Sequence, residues 1–146
     1  MQPYPHRYTV DAEAATTGIV AVGATGLPRI DTTSPPEFDG PPGHWSPETF
    51  LVAAVADCYV LSFRAVARAA GFEWTSLRCR VEGVLERVSG VTQFTRFTTT
   101  ARLRAPRGVD RERAREILER AEKVCLIANS LRGERLLEIE VLAEES

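Results

Sequence analysis

Hydrophobic and polar residues alternate in several registers along this chain, and the registers mark out its elements. Near the start, Tyr8-Thr9-Val10 and Gly18-Ile19-Val20-Ala21-Val22-Gly23 are short, β-rich stretches bounded by small residues, which predict a hairpin, and residues 27–33 predict a third strand. Residues 34–43 hold four prolines and two glycines, a composition that excludes regular structure and predicts an ordered loop. Ser46-Pro47-Glu48 then marks a helix start. Serine caps, proline suits the first helical position, and the acid sits where the helix dipole favours it. The helix is expected to run to about Ala70 and to stop at Gly71, a length of roughly 36 Å. Its first half is apolar nearly all round, so its own sheet and something else must both cover it. Arg64 and Arg68 give the second half a wetter side.

Two long alternating segments follow, residues 75–88 and 91–104, joined by Ser89-Gly90, a pattern that predicts a β-hairpin. Asp110 caps a second helix with Ala114, Ile117, Leu118 and Ala121 on one face, and residues 136–142 close the chain as a strand. The order βββ-α-ββ-α-β, mostly joined by hairpins, gives an α+β fold, and 146 residues suit a single domain over residues 1–146.

Composition narrows the function classes. A net charge of −2 leaves no footprint for nucleic acid. The basic residues are almost all arginine, Lys123 being the one lysine. Residues 1–8 lack the apolar stretch of a signal peptide, and no apolar run approaches the roughly 20 residues of a membrane span. A cytoplasmic protein without membrane partners is therefore expected. Three cysteines in that setting point to free or redox-active thiols and not to a disulfide framework. Cys58 lies in the apolar helix and Cys125 near the end of the second. A thiolate that traps an oxidant and a second thiol that closes a disulfide on it form a redox pair. A small buried hydrophobe is the plainer reading of each. Cys79 alternates with Leu77 and Val81 and is expected to face the core. No short-range ligand pair suggests a metal, and no cofactor is expected.

Two motifs carry a resemblance. Trp45-Ser46-Pro47-Glu48 followed ten residues later by Cys58, together with Glu122-Lys123-Val124-Cys125-Leu126-Ile127-Ala128-Asn129-Ser130-Leu131, resembles the OsmC/Ohr superfamily of osmotically inducible and organic hydroperoxide resistance proteins. The likeness extends over nearly the whole chain. It implies an OsmC-like fold with antiparallel sheets and a long central helix, assembled as an intertwined homodimer. It further implies a thiol peroxidase acting on organic hydroperoxides, with Cys58 as the attacking thiolate, Cys125 as the resolving thiol and an external dithiol as reductant. Glu48 matches the glutamate that positions an arginine over the reactive sulfur. Ten residues of helix separate Glu48 from Cys58 by about 15 Å along the axis, so if both serve one site, a partner chain must supply one of them.

The family's arginine has no clear counterpart. Its two usual places read Ala14-Ala15-Thr16-Thr17-Gly18 and Pro36-Glu37-Phe38-Asp39-Gly40. Arg29 is the candidate substitute, Arg7 lying before the first strand. His44 is a candidate to line the mouth of the site or to supply a proton, beside the plainer reading of a loop histidine. Two functions follow: a two-cysteine peroxidase, or a redox sensor or small-ligand-binding protein without efficient turnover.

Overall fold

The structure, a computed structural model, describes Met1–Glu145 and separates into two compact units, Met1–Leu51 and the remainder from Val52 onward. In the first, β1 (Asp11–Glu13), β2 (Val20–Gly23) and β3 (Ile30–Thr32) form an antiparallel sheet in sequential order. The first strand lies just beyond the expected Tyr8-Thr9-Val10. Register explains the shift: Asp11 to Glu13 pair with Gly23 back to Ala21, and past Gly23 the chain turns, Leu27 donating to the Ala24 carbonyl. Among the described residues no strand is left for residues 8–10 to pair with, and they are exposed.

The proline-rich segment is ordered, as expected, though it includes a 3₁₀ turn at Pro36–Phe38. The amides of Phe38 and Gly40 both donate to the Pro35 carbonyl. Gly40 is required by space, because a Cβ there would stand 1.8 Å from the Ser34 carbonyl oxygen. Helix α1 (Pro47–Ala69) then starts on reciprocal hydrogen bonds: the Ser46 amide donates to Thr49 Oγ1 at 2.8 Å, and the Thr49 amide donates to Ser46 Oγ at 3.2 Å.

In the second unit, β4 (Ser76–Val88) and β5 (Val91–Ala105) form the expected hairpin. Ser89 and Gly90 turn it with φ of 50° and 81°, the positive pair that a two-residue hairpin turn demands. Helix α2 (Arg111–Val124) is capped by the Asp110 carboxylate, which accepts from the amides of Glu112 and Arg113. A four-residue helix α3 (Leu126–Asn129) follows, and β6 (Glu134–Ala143) ends the fold. The sheet order is β4-β5-β6, with β6 parallel to β5. This corrects the expectation of purely antiparallel sheets. A parallel neighbour needs a crossover of a dozen or more residues, and α2 with its flanking loops is that crossover.

The core of this unit sits on one face of the sheet. Tyr59, Phe63 and Ala67 of α1 pack with Ala101 and Leu103 of β5 and with Ala114, Ile117, Leu118 and Ala121 of α2. The other face is wet, carrying the exposed Arg78, Arg80, Arg102, Glu138 and Glu140. The buried residues of α1 are confined to Val55, Tyr59, Phe63 and Ala67, a single i, i+4 stripe. Over its most apolar 18 residues the helix has a mean hydropathy of 1.7 with 28% of that window buried, so by length and composition it matches a membrane span. The expectation that no apolar run approaches a span is therefore corrected at α1, by length and composition alone.

Candidate functional site

The thiols at positions 58 and 125 are brought together. Cys58 stands in the middle of α1, beside the buried stripe, and is half-buried, whereas Asp57 next to it is exposed. Mid-helix placement removes any help from the N-terminal dipole, which fades within the first turn. One turn on, Ser62 Oγ lies 3.9 Å from Cys58 Sγ. Cys125 is buried, at 1% exposure, where α2 breaks: its ψ of 100° ends one helix, and α3 starts at the next residue.

The electrostatics differ along this cluster. Burial pushes the Cys125 thiol up to about 11; the Ala128 amide opposes this in part, and hydrogen bonding to Cys58, the Cys58 charge and the Glu122 carboxylate add to it. Cys79, which packs against the core as expected, is pushed up to about 12 by burial and then by Cys125. Tyr59 is raised further, first by burial, with Cys79, Glu122 and Cys125 contributing; its hydroxyl donates to the Leu118 carbonyl at 2.9 Å. Cys125 and Cys79 are thus held as neutral thiols near pH 7.

Around Cys125 stands a charged group that motif reading alone does not reveal. Arg135 of β6 donates from Nε to Glu122 Oε1 at 2.7 Å and from Nη2 to Glu122 Oε2 at 2.9 Å. It also reaches the Glu122 carbonyl at 2.6 Å and, through Nη1, Asn129 Oδ1 at 2.7 Å. The pair to Glu122, with burial opposing, raises the Arg135 pKa above its ordinary value, and the guanidinium stays charged. A signal for it existed: Arg135 falls in phase with the inward-facing Leu137, Ile139 and Val141 of its strand.

The other three candidates lie in the first unit. Glu48 is in the first turn of α1, and its Oε2 is buried without a hydrogen-bond partner among the described residues. It lines a cavity of about 370 Å³ with apolar walls from Val20, Val22, Pro35, Phe38 and Phe50. Arg29 does not pair with it: its Nε donates to Asp31 Oδ1 at 2.7 Å on the surface, with the two side chains 66% and 46% exposed. His44 is exposed, next to Trp45, whose ring stacks on Phe50 at 5.5 Å.

The pattern of helices and sheets has known counterparts. The family model described as OsmC-like protein matches residues 40–140. This chain belongs to the OsmC-like family. Among curated proteins it is similar to the uncharacterized protein YmaD of Bacillus subtilis (strain 168), at 28% identity over 73% of each chain. Among solved structures, an OsmC-like protein of unknown function from Vibrio cholerae O1 superposes with a TM-score of 0.83 at 18% identity, covering 93% of this chain and all of that one. An organic hydroperoxide resistance protein, OsmC, from Legionella pneumophila superposes at 0.75 with 22% identity over 95% and 98% of the two chains. At such identities the superpositions establish the OsmC-like α+β fold of two sheets and three helices.

Proposed function

We propose that this OsmC-like protein is a cytoplasmic thiol peroxidase that reduces organic hydroperoxides through a Cys58–Cys125 disulfide cycle and works as a homodimer. The observation that carries the reading is the half-buried Cys58 set beside a buried Cys125 at a helix break. The Cys58 thiolate attacks the distal oxygen of the hydroperoxide. The O–O bond breaks, Cys58 becomes a sulfenic acid, and the alkoxide takes a proton to leave as alcohol. Cys125 then attacks the sulfenic sulfur, forming the S–S bond and releasing the hydroxyl as water. An external dithiol reduces the disulfide by exchange, becoming oxidised itself. Burial is the main reason Cys125 is held as a thiol, and its proton leaves with the hydroxyl as the S–S bond forms.

Glu48 is assigned the positioning of a cation near the reactive sulfur. Its unpartnered, buried Oε2 supports a cation being brought to it, since a buried carboxylate oxygen left unpaired is costly. The helix geometry that separates Glu48 from Cys58 supports a partner chain as the source of one of them. Arg29, drawn to Asp31 in solvent, favours the second reading, a redox sensor or small-ligand-binding protein without efficient turnover. His44 is left to the mouth of the site.

The deciding experiment treats the reduced protein with stoichiometric cumene hydroperoxide, follows peroxide loss and maps the thiols by mass spectrometry. A rapid Cys58–Cys125 disulfide with dithiol-sustained turnover is expected. Cys58→Ser should abolish consumption, and Cys125→Ser should give one turnover followed by over-oxidation. Equal multi-turnover activity in both variants would overturn the scheme. A single disulfide without sustained turnover would select the sensor, and unmodified thiols the ligand-binding protein.

A further inference from the structure

Arg135 occupies a position that the strand pattern reserves for an apolar side chain, in phase with Leu137, Ile139 and Val141. A charge taken partly out of water is tolerated only where its donors are met, and here several are. The partners are not arbitrary. They are the carboxylate and carbonyl of Glu122, three residues before Cys125, and the side-chain oxygen of Asn129, four residues after it. Asn129 in turn donates from Nδ2 to the Lys123 carbonyl at 3.0 Å, and the Asn129 amide donates to the Cys125 carbonyl at 2.9 Å. One guanidinium therefore ties the last turn of α2 to the end of α3, and Cys125 is the residue at the break between them.

We infer that Arg135 is a positioning residue for the disulfide step, clasping the broken helix so that the Cys125 sulfur is held facing Cys58. The inference rests on reading these two cysteines as a redox pair. Disulfide formation draws two sulfurs from non-bonded contact to about 2.05 Å within narrow angular limits. With the backbone on both sides of Cys125 fixed, the approach is left to side-chain rotation, and the effective concentration of the second thiol at the first is high. With the clasp open, the break can flex and the same thiol meets Cys58 less often. The planar fork matters as much as the charge, because a lysine ammonium cannot serve a carboxylate bidentately and reach a carbonyl and an amide oxygen as well.

The test needs no peroxide. The intact protein and Arg135→Gln are equilibrated in reduced and oxidised dithiothreitol, and the fraction of Cys58–Cys125 disulfide is counted by mass spectrometry. We expect the disulfide to be disfavoured in Arg135→Gln by about tenfold or more, with Arg135→Lys recovering only part of the loss. Asn129→Ala, which removes one arm and spares the Glu122 pair, serves if Arg135→Gln does not fold, and should shift the equilibrium in the same direction by less. An unchanged equilibrium in a folded variant overturns the clasp. After hydroperoxide, the ratio of disulfide to Cys58 sulfinic acid should fall by a similar factor, and in a Cys125→Ser background Arg135→Gln should add nothing to over-oxidation. An added effect there would mean a general structural role and overturn the assignment. If the wild type consumes no peroxide yet Arg135→Gln still shifts the dithiothreitol equilibrium, the peroxidase reading fails and the clasp stands. If no redox buffer yields a Cys58–Cys125 disulfide in the wild type, both fall.

Discussion

Two thiols of this protein are made harder to ionise by the fold itself, and that has a consequence for stability. An unfolded cysteine loses its proton near pH 9, whereas folded Cys125 holds it to about 11 and Cys79 to about 12. Burial is the leading cause at both. Between these values the unfolded chain releases protons that the folded chain keeps, so raising the pH favours unfolding. The contribution is fully present below pH 9 and is lost as pH rises toward 11 for Cys125 and 12 for Cys79. We therefore expect the urea midpoint to fall progressively above pH 9 with an unchanged slope against urea. In Cys79→Ala that fall should be shallower, even though the variant starts from a lower midpoint because it leaves a small cavity. A midpoint flat to pH 11 would show that these thiols are not held neutral.

The short connection from α3 to β6 decides where Arg135 falls, and Gly133 sets it. Its φ is +106°, a region that side chains rarely enter, and a Cβ there would lie 2.8 Å from the Thr95 carbonyl oxygen. Backbone on one side and strain on the other leave no room to relax. Gly133→Ala is expected to lower stability by about 1–3 kcal/mol, measured by chemical denaturation, and to loosen the start of β6, read as faster amide exchange at Arg135 than at Ile139. Elements of this kind show what the sequence could and could not tell. The cap at Ser46, the cap at Asp110 and the Ser89-Gly90 turn were legible because each depends on neighbours within a few residues. The direction of β6 was not, since pairing parallel to β5 is settled by the α2 crossover and the sheet edge left open to it. Residues 8–10 have the composition of a strand but no partner in register. The motifs around Cys58 and Cys125 were legible as a resemblance to the family. The clasp on Cys125 was visible only as an arginine out of place in an apolar phase, a signal that names no partner.

At the scale of the molecule, α1 is the element least explained by one chain. A helix with a mean hydropathy of 1.7 over 18 residues, of which 28% are buried, and with Leu61 52% exposed, presents more apolar surface than a lone soluble chain usually leaves uncovered. In the homodimer proposed above a second copy would cover that surface, and the separation of Glu48 from Cys58 would cease to be an obstacle. The proposal that each active site takes Glu48 from one chain and Cys58 from the other can be tested by mixing two inactive variants. Glu48→Gln spoils the glutamate and Cys58→Ser the thiol. In a mixed dimer with sites shared across chains, one site receives both defects and the other receives neither. Random reassortment of equal amounts should then restore about a quarter of wild-type peroxidase activity per chain, since half the dimers are mixed and each of those has one intact site. If each chain instead supplied both residues of its own site, every site in the mixture would lack one of them, and activity would stay at the level of the separate variants. Sedimentation of the wild type at twice its 16.1 kDa mass is the accompanying requirement, and a fully active monomer would refute the shared site outright.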